Sequence, residues 1–215
     1  MSSVGGKVSR RCLGSRTGER VVPAAPPRFV SGRGAGVATV RRATTADADA
    51  LGHVHVAVWQ AAYRGTMDDD FLDHLDADRR AGWWRDHLRP SQNDAGRGRD
   101  ETWVLVEGGG LQGFVLFGDP DDADQRDDPA VGQVHALNVR PDLWGQRRGE
   151  VLLATAEDGL VRRGARQGLL WVVAGNDRAR RLYERRDWTA DGARRTTRFG
   201  GRDVEEVRYL KGLGG

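Results

Sequence analysis

A chain of 215 residues is long enough for one well-buried α/β domain and too short for two large ones. Its net charge of +3 hides an asymmetry: residues 1–36 carry seven Lys or Arg against one acidic residue, so the other 179 sum to −3. The basic excess behind a pI near 9.5 therefore sits in a Gly-, Ser- and Pro-rich tail, expected to be disordered, and nucleic acid is not an expected partner of the folded part.

The lone cysteine, Cys12, excludes an intramolecular disulfide, leaves the domain without a nucleophilic thiol and suits a reducing, cytoplasmic setting. No apolar run approaches the roughly 18 residues of a membrane-spanning helix. Residues 37–43 (VATVRRA) read as the first strand. Thr44 or Thr45 with Asp47 then resembles a helix start, after which Leu51, Val54, Val58 and Ala62 mark a buried stripe. His55, Trp59 and Tyr63 recur every four residues and share one helical edge, either packing or bordering a cleft. His53 and His55 fall on different sides of that helix, so no metal site is expected.

Residues 71–76 and 79–90 read as a second helical region stopped by Pro90, with Trp83, Trp84, His87 and Leu88 on an apolar face. Two strand runs, 102–108 and 111–118, meet at Gly108 to Gly110, a hairpin signal. Residues 119–129 hold six Asp and one Arg and read as a solvated loop whose charge would attract a cationic amine. Calcium is disfavoured there, because the central glycine and twelfth-position glutamate are missing.

From residue 132 the pattern changes twice. Val134, Ala136 and Asn138 alternate with His135, Leu137 and Val139 at a period near two, whereas Leu152, Leu153, Ala156 and Leu160 follow helical spacing. The switch of period places a loop at about 140–148 between strand and helix. Its end at a helix N-terminus exposes unpaired N–H groups, Gly145 and Gly149 allow close approach, and Arg147 and Arg148 add positive charge, which together suit a diphosphate. Residues 169–176 then read as a buried strand, 176–188 as a short helix, and 193–200 and 204–213 as two closing strands. Glu205 and Glu206 read as the exposed face of an edge strand, with lining of an acceptor site as the alternative.

Val139, Pro141, Trp144, Gly145, Arg147 and Gly149, followed by Asn176, Ala179, Tyr183, Glu184 and Trp188, resemble the signature of GNAT superfamily N-acetyltransferases. The resemblance spans about 37–211 and implies a domain over 37–215. The implied fold is α/β (α+β): a mixed, mostly antiparallel sheet of six to seven strands flanked by helices, with splayed central strands. It further implies acetyl-CoA as cosubstrate and direct attack by a primary amine of unknown identity, in a monomer or homodimer. Main-chain groups of Leu137, Asn138 and Val139 would meet the pantetheine arm and thioester, and the loop Trp144, Gly145, Gln146, Arg147, Arg148, Gly149 and Glu150 the diphosphate. Asn176 would cap its helix and touch the cofactor, and Tyr183 would protonate the leaving thiolate. His55, Trp59, Tyr63 and Gln133 would border the acceptor. Gln133 takes the position where family members often carry a glutamate base. An amide cannot accept that proton, so His135, two residues on, or a chain of waters takes the role. Trp144 and Arg147 depart from the family loop, which usually has Gln or Arg at the first place and Gly at the middle one. Arg147 is tolerable there if its φ is negative and costly if the loop needs φ above zero. Two other functions are open: an acyl-CoA-binding module without turnover, and a nucleic-acid-associated protein using the tail.

Overall fold

The computed structural model describes residues 28–29, 38–89, 100–122, 125 and 128–214. A two-residue strand β1 (Arg28–Phe29) pairs with β2 (Ala38–Arg42), inside the segment expected to be a disordered tail; the remainder of that tail lies outside the described residues. Thr44 and Asp47 form the expected capping box, and a 3-10 turn over Thr45–Asp47 leads into α1 (Ala48–Ala62). Helices α2 (Asp69–Asp73) and α3 (Ala77–His87) begin at Asp68 and Asp76, whose carboxylates accept first-turn N–H bonds.

Strands β3 (Glu101–Glu107) and β4 (Gly110–Gly118) form the expected hairpin, and positive φ at Gly108 (59°) and Gly109 (79°) fits a two-residue turn of the right twist. The chain continues through β5 (Val131–Val139), α4 (Arg148–Arg162), β6 (Gln167–Val173), α5 (Asp177–Glu184), β7 (Thr189–Phe199) and β8 (Arg202–Gly212). Helix α5 stops four residues before the expected 188 because Asp187 turns left-handed (φ 62°) and Trp188 N–H bonds back to the Tyr183 carbonyl. An aspartate in that conformation carries none of the glycine signal that usually marks a helix end.

One sheet results, in the order β1-β2-β3-β4-β5-β6-β8-β7, with only β5 and β6 parallel. Leu152, Leu153, Ala156 and Leu160 of α4 and Tyr183 of α5 bury one face, against Val115, Phe117, Val134, Leu170 and Val207. Leu51, Val54 and Val58 of α1 and Trp84 of α3 bury the other, against Val104, Phe114 and Leu116. Alternate residues of each strand thus serve opposite faces.

Two irregularities shape the centre. The β4–β5 register passes from Leu116↔Ala136 to Phe117↔Val134, so His135 is a bulge and simple alternation does not carry through it. The β5–β6 pairing covers only Val131–Val134 against Gln167–Leu170, after which the two strands part.

Candidate active site

Beyond Val134, the edge of β5 that faced β6 has no strand partner, and a cavity of about 300 Å³ fills the gap. Leu137, Asn138 and Val139 line it from β5, Val58 and Ala62 from α1 with Tyr63 at its C-terminal cap, and Asn176, Arg178, Ala179, Arg181, Leu182 and Arg185 from around α5. Since α1 lies on one face of the sheet and α4 and α5 on the other, the cavity is a passage through the sheet.

Its α4 end is the glycine-rich loop. Pro141–Leu143 make a 3-10 turn, Gly145 is left-handed (φ 79°), and Arg147 at φ 59°, ψ 6° caps α4. The loop therefore needs positive φ at its middle position, the costly case for an arginine. A left-handed non-glycine residue costs about 1–2 kcal/mol, of which glycine's greater unfolded freedom would return part. Arg147→Gly is expected to raise stability by about 1 kcal/mol, read from a urea midpoint, whereas Arg147→Ala, which keeps the strain, gives no gain.

Glu150 and Val151 both return their N–H bonds to the Arg147 carbonyl, so the amides of Arg148 and Gly149 are the first-turn donors left for a ligand. A Cβ on Gly149 would stand 3.0 Å from Leu182, so glycine there keeps α5 close to the loop. Arg148 is not the free cation its sequence position suggested: it pairs with Glu107 at 2.6 Å, both side chains largely buried. Trp144 folds back, its indole N–H donating to the Val139 carbonyl at 2.7 Å, and the Arg178 guanidinium sits 3.1 Å from its ring centroid. Gln146 donates to the Asp142 carbonyl at 3.4 Å and points out of the passage.

Asn176 caps α5 through the Ala179 N–H (3.2 Å). Beside it the Tyr63 phenol is raised above its ordinary pKa, by burial first and then by the charge of Glu206, with the Asn176 amide opposing. Tyr183 stands behind the lining, 6.4 Å from Trp188 and 6.1 Å from Tyr209 between ring centroids, and burial raises its phenol well above its ordinary pKa.

Other expected residues lie apart. His55 is 9% exposed among Trp59, Trp84 and Phe114, and burial lowers its pKa to about 3. Trp59 packs edge-on against Tyr63 and Phe199, so of the three α1 residues only Tyr63 reaches the passage. Gln133 is buried, its side-chain oxygen accepting the Asp121 N–H at 3.0 Å, and the His135 Nε2 lies 3.5 Å from Asp100. Among the described residues no group of His, Cys, Asp and Glu could hold a metal ion, and no helix is long and apolar enough to cross a membrane.

A strand that leaves its parallel neighbour and delivers a glycine loop to a helix N-terminus is the arrangement that the resemblance called for. The model of the acetyltransferase (GNAT) family matches residues 51–188. The chain belongs to that family.

A protein of Mycobacterium tuberculosis named a probable N-acetyltransferase is 28% identical over 171 residues, covering 79% of this chain and 91% of its own. The PaiA N-acetyltransferase of Thermoplasma acidophilum, solved with coenzyme A, superposes with a TM-score of 0.63 at 15% identity, over 82% of this chain and 99% of that one. YncA of Salmonella typhimurium, solved with its cofactor acetyl-CoA, gives 0.59 at 22% identity, over 83% and 95%. In this acetyltransferase the side chains that sequence reasoning missed include Arg178, Arg181 and Leu182 on α5 and Val58 and Ala62 on α1. The first three fall at the variable places of the Asn176–Tyr183 motif, and the last two belong to a stripe indistinguishable from core.

Proposed function

We propose that the chain transfers the acetyl group of acetyl-CoA to a primary amine by direct attack. The observation that carries this is the passage between β5 and β6, which joins a helix N-terminus on one face of the sheet to Tyr63 on the other. Free amides at Arg148 and Gly149 suit a diphosphate, and the unpaired edge of Leu137–Val139 offers main-chain donors to the pantetheine arm and the thioester oxygen. A donor placed on a developing oxyanion contributes about 3 kcal/mol. The neighbours solved with coenzyme A or acetyl-CoA support the same cosubstrate.

The nitrogen lone pair forms the C–N bond, the C–S bond breaks, and Tyr183 supplies the proton that the thiolate takes. For the amine's proton the candidates are His135, whose ring lies outside the lining with its Nε2 enclosed 3.5 Å from Asp100, and a chain of waters. The domain so employed is residues 37–215.

A second possibility, acyl-CoA binding without turnover, is favoured by the strained Arg147 and by the amide at Gln133. Acetyl-CoA-dependent thiol release over a panel of amines separates the two. Amine-dependent release is the expected result. Uptake of CoA by calorimetry with no release would assign the chain to binding alone, and no uptake would overturn both.

A further inference from the structure

The end of the passage opposite the glycine loop opens on the sheet face covered by α1 and α2, where Tyr63, Trp59, Met67 and Leu72 pack against Val173 and Val204. On that face β8 carries a buried carboxylate. Glu206 is 8% exposed because β8 is an inner strand between β6 and β7, with Val173 on one side of it and Arg195 on the other. The sequence had suggested an exposed edge-strand residue; the strand order reverses that.

Both donors that hold Glu206 use one oxygen: the Arg195 Nε–H and the Thr197 hydroxyl each reach Oε2 at 2.7 Å. Oε1 accepts no hydrogen bond from the described residues and is not among the fully enclosed polar atoms, so it keeps contact with solvent. Among the described residues of this face, Arg195 pairs with Asp122 and Glu206, and Arg208 with Asp122 and Asp191. Arg195 also lies 4.4 Å over the Trp171 ring, which restrains it as a fixed counter-ion. Arg178, the cation beside Tyr63, is stacked on Trp144 instead of reaching across to Glu206.

A carboxylate anchored through one oxygen, with the other open beside a cavity-lining tyrosine, is built to receive a cation. We propose that Glu206 receives the acceptor: its Oε1 binds the ammonium and takes a proton from it as the nitrogen attacks. This rests on the acetyl-transfer function proposed above and narrows the substrate class to amines that are protonated at neutral pH. The ammonium gives one proton to Glu206, and the freed lone pair forms the C–N bond as the C–S bond breaks. The nitrogen's surplus proton replaces the one the thiolate receives, and Glu206 returns its own to solvent. Glu206 thus offers a base on the face of the sheet where the acceptor end of the passage opens.

The test compares two acceptors at pH 7, cadaverine, which is protonated, and aniline, which is neutral. Glu206→Gln keeps the shape and the Thr197 bond but loses the charge. It is expected to lower kcat/KM for cadaverine about 10²-fold, leave aniline within about twofold, and leave the Kd for CoA within about twofold. Glu206→Asp, which keeps the charge, should retain the preference for cadaverine. Equal losses on both amines would make Glu206 a structural residue and overturn the proposal, as would no loss on either or a wild type that prefers aniline; acetyl transfer itself stands in all three cases. Wild-type protein that releases thiol with neither amine overturns the acetyl-transfer function, and this assignment with it.

Discussion

Replacing Tyr183 with Phe is expected to lower kcat about 10²-fold while leaving KM for acetyl-CoA within about twofold. The phenol is buried between Trp188 and Tyr209, and burial raises its pKa above the ordinary phenol value, so it is protonated at every working pH. A thiol of ordinary pKa near 8.5 is far less basic than that phenolate. Full proton transfer to a free thiolate would therefore be uphill, and in the proposed reaction Tyr183 would act first as a hydrogen-bond donor to sulfur as the C–S bond lengthens. The proton then follows as the amine nitrogen gives up its own. Phe keeps the packing and removes only the donor, which separates chemistry from stability. A wild-type kcat in Tyr183→Phe would leave Tyr183 as a packing residue, and Tyr63, which does line the passage, would then be the phenol nearest the reactants.

The protein should lose stability in mild acid through His55, by about 2 kcal/mol at pH 5 and about 4 near pH 3.5. Neither ring nitrogen of His55 has a hydrogen-bond partner, three aromatic rings surround it, and burial with the Arg80 charge lowers its pKa to about 3. The unfolded chain takes up this proton near pH 6.5, well before the folded one does. The stability is therefore complete above about pH 6.5 and falls as the pH drops from there towards 3. His55→Leu, which fills similar volume without a titrating ring, should flatten that loss. Urea midpoints of both proteins at pH 8 and pH 5 make the measurement; an identical acid loss in the variant would place the titration elsewhere.

Much of the route to the site is local and was readable along the chain. Gly108 and Gly109 announce a turn, Thr44 and Asp47 a helix start, and Asn176 a cap, because each satisfies backbone groups within four residues. The glycine loop was legible for the same reason, including the question its Arg147 raised, which φ of 59° answers. Distant partners were not. Arg148 reads as a cation for a diphosphate until Glu107, 41 residues earlier, neutralises it. Trp144 reads as a departure from a family motif until Arg178 stacks on it. His135 and Gln133 read as neighbours on one strand face, and a bulge intervenes.

The sequence by itself determined the class of fold and the place of the glycine loop, since a change of hydrophobic period and a run of glycines are properties of adjacent residues. Only the tertiary structure decided which charges are spent and which remain. The strand order β6-β8-β7 moved Glu206 from an edge to the interior, the parting of β5 from β6 opened the passage, and α1 turned His55 inward while leaving Tyr63 at its mouth. Burial and ion pairing depend on residues tens of positions apart, and no local pattern encodes that distance.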